Sequence, residues 1–395
     1  MNGGATRSPA VSTARDIIAS LVANAWRVTV ASTASATRMT MRSVVVKIGT
    51  SSITDAHGGV AADVMAAIAN DVVAARTEGW SVIVVTSGAI TAGWASVGAG
   101  RPRPHDAATL QAVSAVGQPL LMQAWRDAFA PAKVAVGQVL LSPLDFSHRS
   151  QYLHARGTLG ALGALDVVAI VNENDAVADE EIRYGDNDRL AALVANLVGA
   201  SHVVLLTDTD GLLTADPRLD ASATLIEEVT SFDEELVRSA GQSRSGVGSG
   251  GMASKLAAAR MATWSGVTAV IAPAHAPHAL ARVLANEAGF GTTFVARADR
   301  LSARKSWIAF AVHSRGSLQI NEGARRALVD QGRSLLRVGV TQVRGDFVEG
   351  DAVEVRGPDG VILAKGLVRV SSDGVDDGDE IVIHRDDLVL LVASE

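Results

Sequence analysis

Short, nearly continuous apolar runs rich in β-branched residues recur along this chain, and no other feature limits its fold as strongly. They are 43–48 (SVVVKI), 81–86 (SVIVVT), 133–140 (KVAVGQVL), 167–172 (VVAIVN), 202–207 (HVVLLT) and 267–272 (VTAVIA). Most of them do not alternate apolar with polar residues. Both faces of each strand must therefore be covered, which is the signature of a parallel sheet between layers of helices. Ala/Leu-rich stretches with helical spacing lie between the runs, at 60–78, 105–128, 148–164, 188–199 and 252–265. This βαβ rhythm predicts a doubly wound α/β domain over about 42–300.

In an open α/β sheet, ligands sit beyond the carboxyl ends of the strands. Those ends carry the unusual residues here. The first strand ends in Lys47-Ile48-Gly49-Thr50-Ser51-Ser52, the second in Thr86-Ser87-Gly88-Ala89, the fourth in Asn172-Glu173-Asn174-Asp175 and the fifth in Thr207-Asp208-Thr209-Asp210-Gly211. A charged lysine in a buried strand is costly unless paired, so Lys47 is expected to face the crevice. Ser87 reads equally as a helix N-cap or as part of an anion site. Asp186-Asn187-Asp188 precedes a helix, so capping competes there with a site role. Together with Asn172 and Asp175 it offers the amide-plus-carboxylate set that an amino-acid ligand needs, holding an ammonium while donating to a carboxylate.

The stretch GSGGMASK at 248–255 is Gly-rich and ends in Lys255. It is not a Walker loop, because Met252, Ala253 and Ser254 separate Gly251 from the lysine. A helix starting at Met252 would aim its N-terminus at a ligand, and Lys255 could join Lys47 on one phosphoryl group. A linker is the competing reading. Other chemistry is poorly supported. Arg189-Leu190-Ala191 breaks the calcium-loop pattern after Asp-Asn-Asp. His275 and His278 have no evident partner ligands in the sequence, and His148 and His154 do not share a helix face, so zinc is not expected. The chain has no cysteine.

After about residue 300 the style changes. SWIAFAV, DAVEVRG, GVILAKGLVRV, IVIHR and LVLLVA read as short strands between Gly/Asp turns, with one helix at NEGARRALVDQG. They predict a small, mostly β, barrel-like domain over 306–395. Residues 315–395 hold 10 Lys/Arg against 15 Asp/Glu, a net of −5, and the whole chain stands at −7. Neither suits strong contact with nucleic-acid phosphates. No apolar run reaches the roughly 18–20 residues that span a bilayer, and a cytoplasmic location is expected. Residues 1–38 carry Arg7, Arg15, Arg27 and Arg38 against Asp16, a composition shared by transit peptides. A disordered extension over 1–41, or a true start at Met39 or Met41, is the expectation.

Several separated motifs, in order, resemble the amino-acid kinase family and its glutamate 5-kinase branch: VVVKIGTSSIT, VIVVTSGAI, VNENDAVA, GDNDRLAALVA, LLTDTDGLLTADPR and GSGGMASK. The C-terminal region resembles the PUA fold. The resemblance covers about 42–390 and implies a three-layer α/β/α fold with a mainly parallel sheet, plus the PUA-like domain. It further implies ATP-dependent phosphorylation of the L-glutamate side-chain carboxylate to glutamyl 5-phosphate, the first step toward proline. Lys47 and Lys255 would neutralise the transferring phosphoryl, held by Asp188. Ser87, Asp175 and Asn187 would bind glutamate, with Asn172 and Asp186 close by. Thr207, Asp208 and the loop Ser249, Gly250, Gly251, Met252, Ala253, Ser254 and Lys255 would bind ATP, and Lys47 shares that site. Mg²⁺ would bridge the phosphates through ligands the resemblance does not specify. Feedback inhibition by proline, homo-oligomers and a glutamyl phosphate reductase as partner are also implied. Alternatives are a sibling kinase acting on aspartate, N-acetylglutamate, carbamate or UMP, and an RNA-binding protein acting through the PUA-like domain.

Overall fold

Strand β1 (Ser43–Ile48) lies at the centre of an eight-stranded sheet, paired in parallel with β2 (Ser81–Thr86) on one side and β5 (His202–Thr207) on the other. The computed structural model describes residues 42–395 except 56–58, 99, 178–186, 219, 221, 233–250, 377–380 and 392–395. The expected extension over 1–41 lies outside the described residues. Beyond β2 come β4 (Val168–Glu173) and β3 (Val136–Leu141). Beyond β5 come β7 (Thr268–Pro273), β8 (Thr292–Phe294) and β6 (Glu228–Val229), giving the order β3-β4-β2-β1-β5-β7-β8-β6. Only the β7–β8 pair is antiparallel.

Successive residues of a strand face opposite sides of the sheet, and two separate cores result. Val44, Val46 and Ile48 join Val82, Val84, Val204 and Leu206 beneath the helices Ala62–Thr77 and Ala107–Phe129. Val45 faces the other side with Ile83, Val85, Val203 and Leu205, beneath the helices Asn187–Val198 and Met252–Trp264. The three-layer α/β/α arrangement expected for the kinase family is therefore present. Lys47 has the parity of Val45, so its side chain belongs on the side of those last two helices. A charge at this position interrupts a face that is otherwise apolar.

The C-terminal part builds a second sheet from β9 (Ser314–Ile320), β11 (Val340–Gly345), β12 (Ala352–Arg356), β13 (Ile362–Leu367) and β15 (Leu388–Leu390), in the order β11-β9-β12-β13-β15. A two-stranded ribbon pairs β10 (Leu335–Leu336) with β14 (Ile381–Ile383). One core, including Leu318, Phe347, Val355 and Ile383, serves both. The expected strand at SWIAFAV is absent. Ser302 caps a helical turn at Ala303–Ser306, which continues as a π-helical turn over Trp307–Ala311. Periodicity cannot tell a short buried helix from a strand in an apolar run of this length.

This helical segment joins the two parts. Trp307 Nε1 donates to the Phe146 carbonyl at 2.6 Å, and Arg189 donates to the Phe310 carbonyl at 2.9 Å. Lys365, 8% exposed, donates through Nζ to the Val312 carbonyl. Burial, aided by the Arg189 charge and opposed by Glu354, pushes the Lys365 pKa down to about 8. Below pH 8 both folded and unfolded states hold this proton, and the fold carries the full cost of a buried ammonium. Between about 8 and 10.5 the folded state releases it first, so stability rises with pH across that window. Lys365→Met is expected to raise the stability at pH 7 by ~1–2 kcal/mol, since the relief exceeds the lost hydrogen bond. The advantage should disappear as the pH rises through about 8–10 and reverse sign by pH 10, where the neutral Lys365 amine keeps its hydrogen bond at no charge cost, as read from paired thermal melts.

Candidate active site

The crevice lies where β1, β2, β4 and β5 end side by side. Lys47 is 3% exposed and Lys255 6%, unusually deep burial for lysine side chains. What holds them is Asp188, 0% exposed, with Oδ1 at 2.5 Å from the Lys47 Nζ and Oδ2 at 3.3 Å from the Lys255 Nζ. The sequence positions explain the meeting. Asp188 is the second residue of the Asn187–Val198 helix and Lys255 the fourth of the Met252–Trp264 helix. Both helix N-termini overlie the face to which Lys47 points. A carboxylate in a first helical turn is also favoured by the helix dipole. Two ammoniums share this one carboxylate in a place where burying charge is expensive. Such arrangements are kept where an anion is to be bound.

Beside the triad, Asn187 ties together the ends of β2 and β4. Its Nδ2 faces the Thr86 carbonyl at 2.6 Å, Ser87 Oγ at 2.9 Å and Asn172 Oδ1 at 2.9 Å. The Thr86 carbonyl can only accept, which fixes the amide orientation. Asn187 Oδ1 then remains buried with no hydrogen-bond partner among the described residues. Ser87 does not cap the helix Ala89–Val97. Gly88, at φ 105°, holds the N-cap position without a side-chain bond, in left-handed backbone that favours glycine. Asn172 Oδ1 also accepts from the Glu173 amide at 2.9 Å.

Of the remaining expected site residues, Asp175 accepts from Ser114 Oγ at 2.9 Å. Thr207 closes β5, and its hydroxyl donates to the exposed Asp208 at 3.0 Å. Gly251 caps the Met252–Trp264 helix in extended conformation, and Met252, Ala253 and Ser254 form its first turn. Asp186, Ser249 and Gly250 lie outside the described residues. Sequence reasoning missed Ser114, Gln118, Gln138 and Trp125. Gln118 accepts from Gln138 at 2.9 Å and reaches the Glu173 carbonyl at 3.4 Å, and Trp125 donates to Thr86 Oγ1 at 3.2 Å. The available signal was a serine and a glutamine four residues apart on the apolar face of a helix. His278, which shows no partner in the sequence, faces Asp71 at 3.4 Å. Among the described residues no three His, Cys, Asp or Glu side chains converge as a metal site would require.

A parallel sheet whose strand ends bring two buried lysines to one aspartate, next to an amide-lined recess, has the build of a phosphoryl-transfer enzyme for a small polar substrate. The sequence profile of the amino acid kinase family matches residues 42–273, and that of the PUA domain matches residues 316–380. The chain is 48% identical over 329 residues to the glutamate 5-kinase of Mycobacterium avium (strain 104), covering 83% of this chain and 88% of that protein. It is 47% identical over 372 residues to the glutamate 5-kinase of Rhodococcus jostii (strain RHA1), covering 90% of this chain and 100% of that protein. This chain belongs to the amino acid kinase family, in its glutamate 5-kinase branch. Among solved structures, isopentenyl phosphate kinase matches with a TM-score of 0.46 at 18% identity, over 64% of this chain and 100% of that one.

Proposed function

We propose that this chain transfers the γ-phosphoryl group of ATP to the side-chain carboxylate of L-glutamate, forming L-glutamyl 5-phosphate and ADP, the first step toward proline. A carboxylate oxygen of glutamate attacks the γ-phosphorus. One O–P bond forms as the bond to the β-phosphate oxygen breaks. The nucleophile is already ionised near neutrality, with an ordinary pKa of about 4.3, so no general base is needed. The task is to bring two anions together, and positioned positive charge does that.

The observation that carries this reading is the buried Lys47–Asp188–Lys255 triad. In it, the two lysines neutralise the transferring phosphoryl and Asp188 fixes their separation. Asn187 Oδ1, buried without a partner among the described residues, suits the α-ammonium of an amino acid. Ser87, Asn172 and Asp175 complete the glutamate recess, with Asp186 nearby. Thr207, Asp208 and the Ser249–Lys255 segment take ATP. Mg²⁺, bound with ATP, would offset charge on its phosphates. The same reading assigns a catalytic domain to 42–300 and a PUA-like domain to 306–395, a cytoplasmic location, homo-oligomers, feedback inhibition by proline and a reductase that consumes the acyl phosphate. No helix among the described residues is long and apolar enough to cross a membrane.

Trapping the acyl phosphate with hydroxylamine tests the reaction directly. Glutamyl hydroxamate is expected only when ATP, Mg²⁺ and L-glutamate are all present, and added proline is expected to suppress it. Failure to form it, or faster ADP release with aspartate, N-acetylglutamate, carbamate or UMP, would overturn the assignment.

A further inference from the structure

The recess at the end of β4 is braced from outside by the helix Ala107–Phe129. The buried face of that helix is mostly apolar, with Val113, Leu121, Met122, Trp125 and Phe129. Ser114, 1% exposed, breaks the pattern and donates its hydroxyl to Asp175 Oδ2 at 2.9 Å. One turn later the buried Gln118 reaches the Glu173 carbonyl. Two polar contacts from one helix thus land two residues apart, on the last residue of β4 and just beyond it.

The brace is rigid, because the same helix is locked to the turn that carries Ser87. It meets the Ala89–Val97 helix backbone to backbone. A Cβ added at Gly117 would lie 1.7 Å from the Ala89 carbonyl oxygen, and one at Gly93 would lie 2.0 Å from that of Val113. Trp125 adds its bond to Thr86 Oγ1 at 3.2 Å. Ser114 is therefore fixed relative to Ser87 and Thr86, and it passes that reference to Asp175 through a hydrogen bond to a charged group, one of the stronger kinds.

We propose that Ser114 is a positioning residue that sets the Asp175 carboxylate against the Ser87–Asn187 side of the recess and thereby tunes affinity for the amino-acid substrate. This rests on the reading of Asp175 as a glutamate-binding group. Ser114→Ala is expected to raise KM for glutamate about tenfold, with kcat and KM for ATP within about twofold of the unmodified protein and a Tm lowered by no more than a few degrees. Because Ser114 acts through Asp175, the substitution should change KM for glutamate by less than about twofold when made on top of Asp175→Asn. An unchanged glutamate KM in Ser114→Ala, an equal rise for ATP, or additive effects in the double variant would overturn the proposal. If the unmodified protein lacked glutamate-dependent turnover, the underlying reading would fail instead, and the two failures are told apart by that control.

Discussion

Replacing Lys255 by alanine is expected to lower kcat by ~10³-fold or more while the fold survives. The kinetic part follows from where Lys255 sits. Its ammonium is buried, one turn inside a helix whose N-terminus faces the crevice, and preorganised by Asp188 at 3.3 Å. A fixed cation in a dry site stabilises developing phosphoryl charge without reorganising when the reaction occurs, which makes it worth far more than the same charge in water. The structural part follows from the charge count within the triad. Without Lys255, Lys47 and Asp188 remain as a one-to-one pair at 2.5 Å, so no charge of the three loses its counterpart. Thermal melting within a few degrees of the unmodified protein, together with the collapse in kcat from steady-state ADP release, is the expected outcome. Near-normal turnover would remove Lys255 from the chemistry, and a large fall in Tm would mean the residue is structural.

The parts of this molecule legible in sequence are those where local pattern and environment agree. The runs SVVVKI, SVIVVT and HVVLLT are strands because a parallel sheet covered on both faces demands continuous apolar residues, and they begin and end as expected. Lys47 was legible for the converse reason, as the one charge in such a run. The Asn187-Asp188 pair was ambiguous, since a helix start explains it as well as a site does. Only the third dimension shows the Asp188 carboxylate turned to two lysines from distant parts of the chain. SWIAFAV was misleading, because burial in a short helical turn at a domain junction gives the same apolar run as a strand. Ser114 and Gln118 carried only a weak signal, since a polar residue in a helix ordinarily marks the solvent face. Their burial depends on Gly93 and Gly117 letting two helices touch, and helical spacing does not encode which helix will do so.

Asp188→Asn is expected to destabilise the fold where Lys255→Ala leaves it nearly unchanged, although both should collapse turnover. Asparagine keeps the shape and can still accept a hydrogen bond, but it leaves two buried ammoniums facing each other with the shared countercharge removed. Breaking a buried ion pair from one side typically costs about 3–5 kcal/mol, because an uncompensated charge remains. Here two charges lose the carboxylate that held them at 2.5 and 3.3 Å. A fall in Tm of roughly 10 °C is therefore expected near pH 7. The deficit should be recoverable by an anion. If the lysines are a phosphate site, MgATP or a non-hydrolysable analogue binds the folded variant and supplies the missing negative charge. At a hundredfold excess over Kd, binding returns about 2.7 kcal/mol. The ligand-induced rise in Tm should thus restore much of what Asp188→Asn removes, whereas Lys255→Ala should show a smaller ligand-induced rise than the unmodified protein. An Asp188→Asn variant that melts at the original temperature, or that gains nothing from the nucleotide, would mean that the three side chains do not act as one charge-balanced unit.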